Sequence, residues 1–302
     1  MALPPQARRA VENAAGALPV TDPTFDVVAA RAADREAAAG QEKVPVAQVR
    51  DVDAGGAPAR LYLPEGYDAV VVHAHGGGFV LNDVEVHDAA VRRFATIART
   101  AVLSVDYRRP PEHPFPAAPD DVGAAVAWLD TQPELAGLPT FAHGDSAGGN
   151  LALVTALRHP GRFAGVALVY PFLDPTASFD SYTSAAAGFD PSEAAWYWQQ
   201  YAASPADLTD PDLAPLLSDR LATLPPTLVT TAEHDPLRDE GEHLVLLLAE
   251  AGVEVVGTRY LGQLHGYWRH ASVFDAAEPT MRQVAGWLRM HVERVTGAAP
   301  RP

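Results

Sequence analysis

Hydrophobic positions along this chain alternate between two rhythms. AVVVHAH (69–75) is a continuous apolar run apart from its two histidines, the pattern of a strand buried on both faces. A helical stretch follows from about Val86 to Arg99, then AVLSVDY (101–107), then a helix from about Pro119 to Leu129. PTFAHGD (139–145) reads as a strand, Ala147 to about Arg158 as a helix, and FAGVALVY (163–170) as a strand. After a break the alternation resumes. PTLVTTAEHD (226–235) is followed by a helix from about Leu237 to Ala251, VEVVGTRY (253–260) by a helix from about Pro279 to Val295. Repeated β–α alternation predicts an α/β fold with a mostly parallel central sheet flanked by helices.

Two regions depart from that rhythm. Residues 1–43 are rich in alanine, with charges at helical spacing and interruptions at Pro19 and Pro23, which predicts two short helices. Strand-like runs VPVAQVRDVD (44–53) and ARLYLP (59–64) then lead into the main pattern. From Asp174 to about Pro215 the chain is rich in Ser, Asp, Pro and aromatics, with one helix expected in SEAAWYWQQYAAS (192–204). The expected organisation is a core of residues 44–173 and 216–302, with 1–43 and 174–215 outside it.

Composition narrows the function class. The 302 residues are 48% hydrophobic and 20% charged, ordinary for a chain that buries a core. Thirty-eight acidic residues against 22 basic ones give a net charge of −16, and Lys43 is the only lysine. Such a chain repels phosphate backbones and anionic lipid, so neither nucleic acid nor a membrane is expected as a partner. Without cysteine there are no disulfides, thiol nucleophiles or thiolate metal sites. The first residues, MALPPQARRAVENAAG, lack the apolar stretch of a signal peptide, and no segment has the ~18–20 apolar residues of a membrane span. A cytoplasmic protein is expected, either monomer or homodimer.

The candidate chemistry centres on GDSAGGN (144–150). Ser146 stands in G-x-S-x-G spacing at the end of a predicted strand and before a predicted helix, the context of a nucleophile elbow. Gly144 and Gly148 allow strand and helix to approach, and the helix N-terminus favours developing negative charge. The motif alone stands equally for a glycine-rich turn without chemistry. Upstream, HGGG (75–78) also follows a buried strand; successive glycines let backbone amides face an oxyanion. Gly77, Gly78 and Ala147 are the candidate donors, and no dinucleotide or Walker pattern competes for this loop. A base and an acid should follow the serine in the order acid, then histidine. His265, in LGQLHGYW, sits in a loop after a predicted strand, and Asp235 closes the strand 226–235. Asp235 could equally cap the helix that Pro236 begins. His270 and Asp239 are the alternatives; His243 and His291 fall in helices, where surface positions are expected. His73 and His75 form an H-x-H pair, but with no third ligand motif nearby neither a metal nor a cofactor is expected.

Taken together, HGGGF (75–79), DYRRPPEHPFPAAPDD (106–121), GDSAGGN (144–150), DPLRDEG (235–241) and HGY (265–267) resemble the hormone-sensitive-lipase-like family of α/β-hydrolases, in order, over roughly residues 44–295. The resemblance implies Ser146 as nucleophile, His265 as base, Asp235 as acid, and an oxyanion hole from Gly77, Gly78 and Ala147. It implies a cap built from the N-terminal segment and an insertion after the sixth strand, which corresponds to 1–43 and 174–215. It also implies supporting roles for Glu112 and His113. Tyr267 stands where the family more often has Phe, and Arg109 where it commonly has Leu. Phe79, Trp196, Trp198 and Tyr267 are the candidate substrate-pocket residues, with Tyr197 beside them; at least one of the three consecutive aromatics should only fill the cap helix.

The expected function is a serine carboxylesterase acting on small, short- to medium-chain esters through an acyl-enzyme. An amidase or arylformamidase with the same triad is the first alternative. A non-catalytic small-molecule receptor on the same fold is the second, against which the retained His265 argues.

Overall fold

A computed structural model of the chain describes residues 3–297; the extremes of the expected domain ranges, residues 1–2 and 298–302, lie outside the described residues. Eight strands form one sheet: β1 (Gln48–Asp53), β2 (Pro58–Leu63), β3 (Val70–Ala74), β4 (Ala101–Val105), β5 (Thr140–Asp145), β6 (Gly165–Val169), β7 (Thr227–His234) and β8 (Val255–Leu264). Their spatial order is β1-β2-β4-β3-β5-β6-β7-β8. β2 runs antiparallel to β1 and β4, and every other neighbour is parallel. Every residue of β3, β4, β5, β6 and β7 is buried, as strands covered by helices on both faces require, while β1 and β8 show the mixed exposure of edges.

Helices cover both faces. α4 (Ala117–Leu129), α5 (Ala147–Arg158) and α8 (Arg238–Glu250) supply residues to one apolar cluster, α3 (Val84–Ala98) and α9 (Ala277–Thr296) to another. Strand alternation decides which residue joins which: Val70 and Val72 enter the first cluster and Val71 the second. Among the described residues no helix is long and apolar enough to cross a membrane.

Element boundaries differ from the expected ones where polar side chains act. α3 starts two residues early because Asp83 accepts the Val86 N–H at 3.0 Å, and it ends when Arg99 turns left-handed at φ 52°. β8 continues to Leu264, past the expected end at 260, with Glu233 accepting the Gly262 N–H at 2.6 Å. His265 therefore follows the strand directly. His291 is not at the surface: it is 2% exposed, on the same face of α9 as Val284 and Leu288, and its Nδ1–H donates to the Trp287 carbonyl at 2.8 Å.

The two irregular regions carry α1 (Pro5–Ala14) and α2 (Val27–Ala39), then α6 (Ser181–Ser184) and α7 (Pro191–Tyr201). They meet where Phe25 and Trp196 stack edge to face, centroids 5.9 Å apart. Arg31 of α2 donates to Glu112 at 2.8 Å, the Pro110 carbonyl at 2.6 Å and the Val80 carbonyl at 2.9 Å, holding the N-terminal helix over the loops that follow β3 and β4.

Candidate active site

The elbow forms where β5 stops and α5 starts. Ser146 adopts φ 56°, ψ −122°, a conformation costly for a side-chain-bearing residue, and its N–H is held by the Val169 carbonyl at 2.9 Å. α5 crosses so close to β3 that a Cβ on Gly148 would overlap the Ala74 carbonyl. The glycine is therefore a steric condition of the turn that lifts Ser146 out of the sheet.

Two strand ends bring partners to that serine. Asp235 follows β7 and is fully buried; His265 follows β8. His265 Nε2 lies 2.9 Å from Ser146 Oγ, and its Nδ1 lies 2.8 Å from Asp235 Oδ2. The other oxygen of Asp235 accepts the Leu237 N–H at 2.8 Å, so the residue both orients the imidazole and caps the turn into α8. Rings of Tyr170 and Phe189 flank His265 at 4.8 and 5.1 Å. The alternatives lie elsewhere. His270 is pushed down to about 3 by burial and by Arg269, and lines a different cleft; Asp239 in α8 accepts the Ser181 N–H at 2.9 Å and pairs with Arg238.

The 75–78 loop is fixed from below. Tyr107 donates its hydroxyl to the His75 carbonyl at 2.7 Å, His75 Nδ1–H and Asn82 both donate to the Gly76 carbonyl, and the Gly76 N–H donates to Asp145 at 3.0 Å. Burial pushes the Asp145 carboxyl up to about 6, opposed by Arg269 and the Gly76 N–H. Gly77 and Gly78 open onto the same cavity as Ser146 and His265, and Ala147 is the first residue of α5. Glu112 acts at a distance, through Arg31.

That cavity holds about 270 Å³. Phe172, Phe189, Tyr197 and Leu81 form its apolar walls, while Asp34 of α2, Glu193 of α7 and Arg269 bring charge to it. Burial raises the carboxyls of both Asp34 and Glu193. The pocket residues expected from sequence sit behind this wall. Phe79 stacks on Tyr201 with centroids 3.8 Å apart, Trp198 lies against Phe172 and Phe79, Trp196 meets Phe25, and Tyr267 is buried beyond Tyr170, hydrogen-bonded to Thr280 at 2.9 Å. Helical phase explains the exchange. Ala194, Trp198 and Tyr201 share the core face of α7, whereas Glu193 and Tyr197, four apart, share the face toward the cavity. Asp34, Phe189 and Arg269 stand in no motif and reach the cavity only through the fold.

Comparison with known proteins places the fold and the family. Residues 71–269 match the model of a family described as alpha/beta hydrolase fold. Carboxylesterase NlhH of Mycobacterium tuberculosis is 38% identical over 297 residues, covering 90% of this chain and 92% of its own. Carboxylic ester hydrolase LipN of the same species is 39% identical over 260 residues, covering 80% and 69%. Among solved structures, a hyperthermophilic esterase from Pyrobaculum calidifontis superposes with a TM-score of 0.86 at 33% identity, covering 99% of this chain and all of that one.

Proposed function

The chain belongs to the α/β-hydrolase fold family, in its hormone-sensitive-lipase-like branch, and from that premise we propose that it is a serine carboxylesterase for small, short- to medium-chain esters, acting in the cytoplasm. One observation carries the reading: the continuous line from Asp235 through His265 to Ser146, with steps of 2.8 and 2.9 Å. A neutral His265 donates from Nδ1 to Asp235 and accepts the Ser146 proton at Nε2. Ser146 Oγ attacks the ester carbonyl, and the oxyanion is received by the N–H groups of Gly77, Gly78 and Ala147. The tetrahedral intermediate collapses as His265 protonates the departing alcohol. Water, deprotonated by the same imidazole, then attacks the acyl-enzyme and releases the acid. Asp235 holds the imidazole tautomer and stabilises the imidazolium formed twice per cycle.

In the same reading residues 1–43 and 174–215 form the cap over a core of 44–173 and 216–302. The small cavity supports short acyl groups, with Phe172, Phe189 and Tyr197 as their walls. The test is hydrolysis of p-nitrophenyl esters from acetate to long chain. Activity should peak at short to medium chains and fall by about 10³-fold or more in Ser146→Ala. Full activity in that variant would overturn the assignment.

A further inference from the structure

Behind the elbow lies a group of buried side chains outside the Asp235–His265–Ser146 line; one of them, Asp145, also holds the 75–78 loop through the Gly76 N–H. His73 on β3, His87 on α3 and Asp145 on β5 each offer a ligand atom, and these atoms all lie within 4.8 Å of one another. The three are buried, at 0%, 0% and 2% exposure. Both ring nitrogens of His87 and Nε2 of His73 have no hydrogen-bond partner among the described residues, and His87 Nδ1 is 3.6 Å from Asp145 Oδ1. Buried polar atoms are normally satisfied, so unpartnered imidazole nitrogens converging on a carboxylate ask for a ligand. We propose that His73, His87 and Asp145 form a binding site for one first-row divalent metal ion of the zinc type.

The chemistry of the donors supports this choice. Two imidazole nitrogens and one carboxylate oxygen suit zinc and its neighbours rather than magnesium or calcium, which take oxygen ligands. His73 and His143 share a hydrogen bond between their Nδ1 atoms at 2.8 Å. With the proton on His73 Nδ1, the Nε2 lone pair is left bare, and His143 fixes the ring as outer partners of metal-bound histidines do. Asp145 also lines the cavity, which gives an ion a route in. His75, the other half of the H-x-H pair, is not among the residues whose ligand atoms lie within 4.8 Å of one another. The sequence hid the site because the second and third ligands come from a different helix and strand.

The proposal is independent of the esterase reading, and its test reads binding. Chelator-treated full-length protein is titrated with zinc chloride in a calorimeter at neutral pH, and its melting temperature is followed. The expected result is one ion bound per chain with a rise in Tm, unchanged in Ser146→Ala. His73→Gln and His87→Gln should each weaken binding at least tenfold. Absence of a one-to-one site in the parent protein overturns the proposal, as does parent affinity in both folded variants. Should the variants not fold, X-ray absorption of the zinc-loaded parent decides: two imidazoles and one carboxylate are expected, and a different ligand set overturns it.

Discussion

At Gly77 the backbone takes φ +125°, and a Cβ there would overlap the Leu81 carbonyl, so the position demands glycine for both conformation and space. Its loop is held by Tyr107, Asn82 and Asp145, which makes the amide orientation a property of side chains outside the motif. Gly77→Ala should therefore cost about 100-fold in kcat, the scale of losing an oxyanion donor. Steady-state assays on a short-chain p-nitrophenyl ester check this, and a change of less than threefold would refute the role. Asn150 is a structural residue: its amide donates to the Phe172 and Leu213 carbonyls at 2.9 Å each, tying α5 to the chain just before the second irregular region and to the far end of that region.

Between elements, Glu240 does comparable work. From α8 it accepts the Leu173 N–H at 2.6 Å and meets the Tyr182 hydroxyl of α6 at 3.0 Å, all in full burial. Burial pushes its carboxyl well above the usual range, reinforced by Asp174 and Asp235. An acid whose pKa rises on folding costs nothing below its unfolded pKa. Its penalty accumulates as pH climbs from there through the folded value. Glu240→Gln, which mimics the protonated acid, should match the parent at pH 4.5 and exceed its Tm increasingly toward pH 8. A constant difference across that range would contradict the argument. Elements themselves were legible in sequence because short strand-like runs such as β3 and β6 alternate with helical stretches, and the rhythm resumes at β7 after the irregular region. Ser146, Asp235 and His265 were legible because each stands at a strand end in a motif. The cavity walls were not. Tyr197 and Trp198 are neighbours in sequence and aromatic alike, and only the phase of α7 on the core decides which one faces the cavity.

For the whole molecule, the cavity exists because three distant parts of the chain converge: α2 with Asp34, α7 with Glu193 and Tyr197, and the turn after β8 with His265 and Arg269. On the proposed function, selectivity belongs to the outer regions and chemistry to the sheet. Tyr197→Ala removes a wall without touching Ser146 or its partners. The ratio of kcat/KM for a long-chain to a short-chain ester should rise about tenfold, within the range that pocket methylenes command. An unchanged ratio would remove Tyr197 from the pocket. The central claim is that fold and strand ends together activate Ser146. Labelling with a fluorophosphonate, read by intact mass and peptide mapping, tests it most directly. The account requires one adduct per chain on Ser146, lost in Ser146→Ala and slowed by orders of magnitude in a folded His265→Ala; a parent protein left unlabelled, or labelled at another residue, would contradict it.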